Sequence, residues 1–226
     1  MQNLILVHGA LGTSKSWEHI VAHLEGHCNI FTINLPGHGE SVEPMREYSL
    51  KYFGDYIANY ADEKGLNDYI LAGYSMGGYI GLYMAANHYK GMKKLYTIAT
   101  KMLWDKAIAN KEAMKLDYNI LAEKAPQFLA MQQNLHPNNW PDILTDTQHI
   151  LKHIGLNPIS KEHLQAIQIS VQMCVGSVDK MVTQEETIEA ANHISNSSSM
   201  ILEEQPHIIE KMDGGVVANS LRKFIG

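Results

Sequence analysis

The sequence predicts an α/β protein, with a mostly parallel central sheet flanked by helices and a small all-helical insertion. Three observations carry this. Short apolar runs alternate with longer amphipathic ones, the pattern of parallel strands joined by helical crossovers. Between residues 101 and 168 the alternation stops and helical periodicity continues without a strand. A chain of 226 residues is also long enough for one such domain with a sizeable core. The expected division is a core in two parts, 1–100 and 169–226, around a helical insertion at 101–168.

In chain order, the predicted strands are Leu4–His8, Asn29–Asn34, Asp68–Tyr74, Lys94–Ala99, Gln172–Val175 and Met200–Glu203. Each is a short apolar run bounded by turn residues. The predicted core helices are Lys15–Leu24, Leu50–Lys64, Met76–Asn87, Gln184–His193 and Val216–Ile225. Ser14 is the expected N-cap of the first. Thr183 is that of the fourth, with Glu186 three residues on completing a capping box. Gly65 is the expected stop of the second. In the insertion, Trp104–Leu116, Asn119–Gln133 and Asp142–His153 have helical spacing, punctuated by Pro126, Pro137, Pro141 and Pro158. Helical insertions of this kind often serve as lids over α/β active sites.

The net charge of −6 argues against nucleic acid as the main partner. The three lysines between Lys90 and Lys94 read as a solvated loop. Cys28 and Cys174 sit in apolar runs without metal-type spacing. They read as buried free thiols of a reducing compartment, although two cysteines leave a disulfide open. The N-terminal apolar run Leu4-Ile5-Leu6-Val7 is too short for a signal-peptide core. No stretch approaches the roughly 20 apolar residues that span a bilayer. The expectation is a cytoplasmic protein with no membrane partner; the oligomeric state is not legible.

The most informative run is Gly73-Tyr74-Ser75-Met76-Gly77-Gly78, a Gly-x-Ser-x-Gly pattern between an apolar run and a helix. A serine on a tight strand-to-helix turn has little room around its backbone, and Gly73 and Gly77 supply clearance. A serine hydroxyl is a poor nucleophile until a base takes its proton, so Ser75 calls for a histidine and a carboxylate. Asp179 follows the strand-like run at Cys174, on the rim where open α/β sheets place ligand sites. His207 follows the last strand and precedes the last helix. It is the one histidine after Asp179 just past a strand, since His193 falls within a helix. The order Ser, Asp, His suits such a fold. Charge developing on a carbonyl oxygen needs backbone N–H donors. Met76, after the nucleophile, supplies one. The loop Val7-His8-Gly9-Ala10-Leu11-Gly12 supplies the other, with Ala10 the first candidate and Leu11 the second.

With these pieces the chain resembles the α/β-hydrolase fold superfamily over nearly its full length. The resemblance rests on His8-Gly9, on Leu35-Pro36-Gly37-His38-Gly39-Glu40-Ser41 and on the serine run. It extends to Gly176-x-x-Asp179-x-x-Val182 and the late His207. The Pro-Gly-His-Gly-x-Ser loop is similar to that of the small lid-bearing branch. That branch includes carboxylesterases, lactonases, carbon–carbon bond hydrolases and the menaquinone-pathway lyase. The resemblance implies that the residue after His-Gly is an oxyanion donor, in favour of Ala10. One departure is Pro206, where the family usually has glycine before the catalytic histidine; proline stiffens that loop.

Other signals carry less. His19, His23 and His27, and likewise His149 and His153, have four-residue spacing but no supporting ligands, and no metal is expected. His38 reads as a holder of loop geometry. No nucleotide-binding glycine pattern occurs, and no cofactor is expected. Met102 and Leu103, just past a strand end, are candidates to face substrate, together with Leu11 of the oxyanion loop. Lys101 is a candidate partner for a substrate carboxylate. The expected activity is hydrolysis of a small ester, thioester or lactone through an acyl-serine intermediate, on a small-molecule acyl substrate. Carbon–carbon cleavage or elimination by the same residues, and a non-catalytic ligand receptor on the same scaffold, remain as alternatives.

Overall fold

A computed structural model describes residues 1–226. Six strands form one sheet: β1 (Asn3–Val7), β2 (Asn29–Ile33), β3 (Tyr69–Tyr74), β4 (Met92–Ile98), β5 (Ser170–Gly176) and β6 (Ser197–Leu202). Their order is β2-β1-β3-β4-β5-β6 and every pairing is parallel. The inner strands β1, β3 and β5 are buried almost throughout because both faces are covered, while the edge strands β2 and β6 keep exposed positions. Their pleat divides side chains between two layers. Ile5 and Val7 of β1 join Leu71, Leu95, Phe53, Ile57 and Tyr79 on one face. Leu4 and Leu6 join Ile70, Ala72, Ile98, Trp17 and Leu221 on the other.

Several of the covering helical segments start at side-chain caps. Helix α1 (Glu18–Val21) is a single turn, preceded by a 3-10 turn at Ser14–Trp17. Here the structure corrects the sequence reading: no continuous helix spans Lys15–Leu24, and Thr13, not Ser14, is the cap. Thr13 is extended (φ −140°, ψ 172°) and shares a capping box with Ser16, whereas the Ser14 N–H donates to Asn34 Oδ1 at 2.7 Å. Helix α2 (Leu50–Glu63) is capped by Ser49 and stops at Gly65, whose φ of +68° suits glycine. Helix α3 (Met76–Ala86) follows the serine turn and is buried almost all round.

Five helices lie between β4 and β5: α4 (Lys106–Met114), α5 (Tyr118–Lys124), α6 (Pro126–Leu135), α7 (Asp142–Leu156) and α8 (Lys161–Gln165). The run Asn119–Gln133 is two helices, not one. Pro126 has no N–H and forces the preceding residue out of the helical region, and Ala125 sits at φ −147°, ψ 54°. Helix α8, unanticipated, starts at Ser160 in a capping box with His163. Helix α9 (Gln184–Asn192) is capped by Thr183, which accepts from the Glu186 N–H. The Glu186 carboxylate does not close the expected box. It is buried and accepts the Met102 N–H at 3.0 Å, at the start of the insertion. Helix α10 (Gly214–Ile225) closes the chain, and the Lys94 ammonium caps its last carbonyls at Phe224 and Ile225. Lys94 is therefore a strand residue with a partner rather than part of a solvated loop. Cys28 and Cys174 are free and buried, and no helix is long and apolar enough to cross a membrane.

Candidate active site

Because β2 and β3 flank β1 on opposite sides, the chain changes direction across β1, and the loops leaving β1 and β3 open a crevice there. Ser75 sits at this point. Its backbone takes φ +51°, ψ −114°, a conformation a non-glycine residue adopts only when its surroundings impose it, at about 1–3 kcal/mol. The surroundings are tight. A Cβ at Gly73 would overlap the Gly77 carbonyl group, and one at Gly77 would lie 2.5 Å from the Val7 oxygen. The Ser75 N–H donates to the Ile98 oxygen at 2.9 Å, and Thr100 Oγ1 donates to the Ser75 carbonyl at 3.3 Å. Met76 opens α3, so its N–H has no partner within the helix.

The loop after β1 approaches the same point. A Cβ at Gly9 would lie 2.8 Å from the Tyr74 ring and 3.1 Å from Ser75 Cβ, so only glycine fits. The Gly12 N–H closes a turn onto the Gly9 oxygen at 3.1 Å, with Ala10 and Leu11 between. His8 is buried beneath: its Nδ1 donates to the Gly9 oxygen (2.7 Å) and its Nε2 accepts the Leu35 N–H (3.1 Å). Burial pulls the His8 pKa down to about 4, so the ring is neutral.

The loops after β5 and β6 bring Asp179 to His207. The His207 Nδ1 lies 2.9 Å from Asp179 Oδ2, with the aspartate side chain fully buried and the histidine 12 % exposed. Asp179 Oδ1 accepts the N–H groups of Met181 (2.7 Å) and Val182 (2.9 Å). Burial raises the pKa of this carboxyl, but the hydrogen bond from His207 and those backbone donors outweigh it and hold it below the ordinary value. An ionised Asp179 fixes the proton on Nδ1 and leaves Nε2 as the free acceptor. The two loops brace each other: the Val178 N–H donates to the Gln205 oxygen and the Glu204 N–H to Ser177 Oγ. The His207 ring lies 5.7 Å from the ring of Tyr74, the residue next to Ser75. The Ser75 hydroxyl and the His207 ring form no hydrogen bond; such contacts often close only around bound substrate.

The remaining sequence candidates are distributed differently. Leu11, expected to meet substrate, is buried against Leu129, Ile143 and Leu144 of the insertion. Lys101 lies over the Trp104 ring, 5.9 Å from its centre. Met102 is half-buried and Leu103 is 53 % exposed. No cluster of three or more His, Cys, Asp or Glu side chains is placed to hold a metal ion. His38 is buried, its Nδ1 donating to the Pro36 oxygen at 3.0 Å. Sequence reasoning missed Thr100, Glu186 and His136. Thr100 had a signal, its position just past β4. The other two reach backbone groups far away in the chain, a contact that no local pattern announces.

A family profile described as alpha/beta hydrolase fold matches residues 2–148. The chain is 27 % identical over 209 residues to a pimeloyl-[acyl-carrier protein] methyl ester esterase of Pseudoalteromonas atlantica, covering 80 % of this chain and 77 % of that protein. It is 35 % identical over 86 residues to a putative 2-succinyl-6-hydroxy-2,4-cyclohexadiene-1-carboxylate synthase of Haemophilus influenzae, covering 38 % and 34 %. Its fold matches the enol-lactonase of Burkholderia xenovorans with a TM-score of 0.83 at 17 % identity, over 99 % of this chain and 91 % of that one. With the parallel sheet and the serine turn, the profile match establishes that the chain belongs to the alpha/beta hydrolase fold family.

Proposed function

We propose that the protein is a serine hydrolase acting on a small carboxylic ester, thioester or lactone through an acyl-serine intermediate. Ser75 attacks the carbonyl carbon while His207 Nε2 takes its proton. Asp179 holds the imidazolium that forms, and the N–H groups of Ala10 and Met76 receive the oxyanion. His207 then protonates the leaving group and activates the water that releases the acid. The observation that carries the reading is the 2.9 Å bond from His207 to a buried, braced Asp179 beside the strained Ser75 turn. The curated relative named as a methyl ester esterase supports an ester over other acyl compounds. Residues 101–168 act as the lid, with Met102 and Leu103 at its base facing substrate and Lys101 available to a substrate carboxylate. Leu11 contributes backbone rather than side chain. The reaction needs no cofactor, and we place the protein in the cytoplasm.

Rapid mixing with a chromogenic butyrate ester tests this. A burst of alcohol stoichiometric with enzyme is expected, with Ser75→Ala lowering turnover by roughly four to six orders of magnitude. Full turnover by Ser75→Ala would overturn it. The 35 % identical segment shared with the synthase favours a second reading, elimination with Ser75 and His207 moving protons. Inactivity on every ester, with retained Ser75-dependent turnover of a β-hydroxy or β-acyloxy acid, would select that one.

A further inference from the structure

His136, from the insertion, is fully buried and reaches two loops of the sheet rim. Its Nδ1 accepts the Gly39 N–H at 2.8 Å. A ring nitrogen that accepts from an N–H carries no proton, so the proton is on Nε2, which donates to the Leu11 oxygen at 3.1 Å. Leu11 is the third residue of the turn that displays the Ala10 N–H. It has φ +56°, a sign that this position normally gives to glycine. A leucine persists there only because its surroundings hold it. Two contacts do so: the His136 hydrogen bond and the packing of the Leu11 side chain on Leu129, Ile143 and Leu144. Both come from the insertion. The same segment is fastened to the loop after β2, where Asn139 Nδ2 donates to the Gly37 oxygen at 3.2 Å. Asn138 Nδ2 lies 3.4 Å from the carbonyl oxygens of Glu40 and Ser41.

We infer that His136 is a positioning residue for the oxyanion hole, holding the Leu11 carbonyl so that the Ala10 N–H points at the reacting oxygen. The oxyanion hole is then complete only when the insertion is seated, although the insertion contributes none of its donors. The inference rests on the serine-hydrolase reading above.

Two near-isosteric variants separate the two ring nitrogens. His136→Gln keeps a donor where Nε2 stands and loses the acceptor for Gly39. His136→Asn keeps the acceptor and loses the donor to Leu11. Losing an oxyanion donor outright costs about 10²–10³ in kcat, so displacing one in His136→Asn should cost about 10- to 100-fold. KM should stay within about twofold, because an interaction made only in the transition state lowers kcat and kcat/KM together. His136→Gln should stay within about threefold of the parent by the same reasoning. Thermal melts of both variants register any purely structural loss. Wild-type kcat in His136→Asn would overturn the inference, as would equal losses in the two variants or a rise in KM alone. His136→Gln tested by itself also overturns it if kcat falls tenfold or more at an unchanged Tm. The Ser75→Ala control separates the two levels. If the parent enzyme does not depend on Ser75, the hydrolase reading fails; if it does and His136→Asn is unimpaired, only the inference fails.

Discussion

The sheet and the insertion are built to different standards. The sheet's two faces carry buried apolar clusters of 29 and 19 residues, the larger taking in Ile150, Ile154, Leu164 and Ile167 of the insertion. The separate cluster that holds Leu129, Ile143 and Leu144 of the insertion has only four residues, the fourth being Leu11. Helix α5 buries no residue at all, and Met114, Tyr118, Ile120 and Met131 stay exposed. The difference teaches a division of labour. A strained serine and a buried carboxylate need a rigid base, since such conformations last only where packing over-determines them. The sparsely packed insertion belongs to the less stable end of the fold. The two regions meet at a seam of three buried histidines. His8 lies 4.9 Å from His38, and His38 lies 5.7 Å from His136, measured between ring centres.

The largest effect expected on the sheet side is chemical. Asp179→Asn leaves the wrong tautomer on His207 and should cut turnover by about 10⁴-fold, read by steady-state kinetics. Wild-type turnover would remove Asp179 from the mechanism. Next comes packing: Phe53 is fully buried in the larger cluster, and Phe53→Ala should cost about 3–5 kcal/mol in urea unfolding. A loss under 1 kcal/mol would mean that the sheet is no more tightly built than the insertion.

The seam comes third. His8 is held neutral by burial, with its pKa lowered from 6.5 to about 4. Burial likewise lowers the pKa values of His38 and His136. A depressed histidine pKa means that the unfolded chain binds the proton first. Stability is therefore full above pH 6.5 and declines as pH falls towards 4, with His8 alone accounting for about 3 kcal/mol. Carboxylates such as Asp179, held below the ordinary value, act at lower pH, so the window identifies the histidines. Urea midpoints that stay level from pH 7 to pH 4 would contradict the seam. The smallest effect belongs to the insertion: Met131→Ala, at a side chain 48 % exposed, should change stability by no more than about 0.5 kcal/mol.

What the sequence made legible follows the same line. Strands β1 to β5 announce themselves by apolar runs and helices α2, α9 and α10 by amphipathic spacing, while α3 is read from its place after the serine turn. Only Met200–Leu202 of β6 was legible, since its first residues, Ser197 to Ser199, read as a polar turn. Ser75, Asp179 and His207 stand out because each follows a strand-like run, and chain order does the rest. Features that depend on distant packing gave no such signal. Thr13 caps the turn while the Ser14 N–H donates to the distant Asn34, and the carboxylate of Glu186 leaves its own helix for Met102. His136 contacts Leu11 across 125 residues of sequence. The division of Asn119–Gln133 was available in Pro126, whose effect on Ala125 is local, but the run's helical spacing concealed it.

The claim that Ser75 is an activated nucleophile has one most direct test. The protein would be incubated with a fluorophosphonate and the modified peptide mapped by mass spectrometry. The arrangement of Ser75, His207 and Asp179 predicts a single adduct on Ser75, absent from Ser75→Ala and strongly slowed in His207→Ala. An unlabelled Ser75 in the folded protein, or labelling that survives His207→Ala at the parent rate, would contradict it.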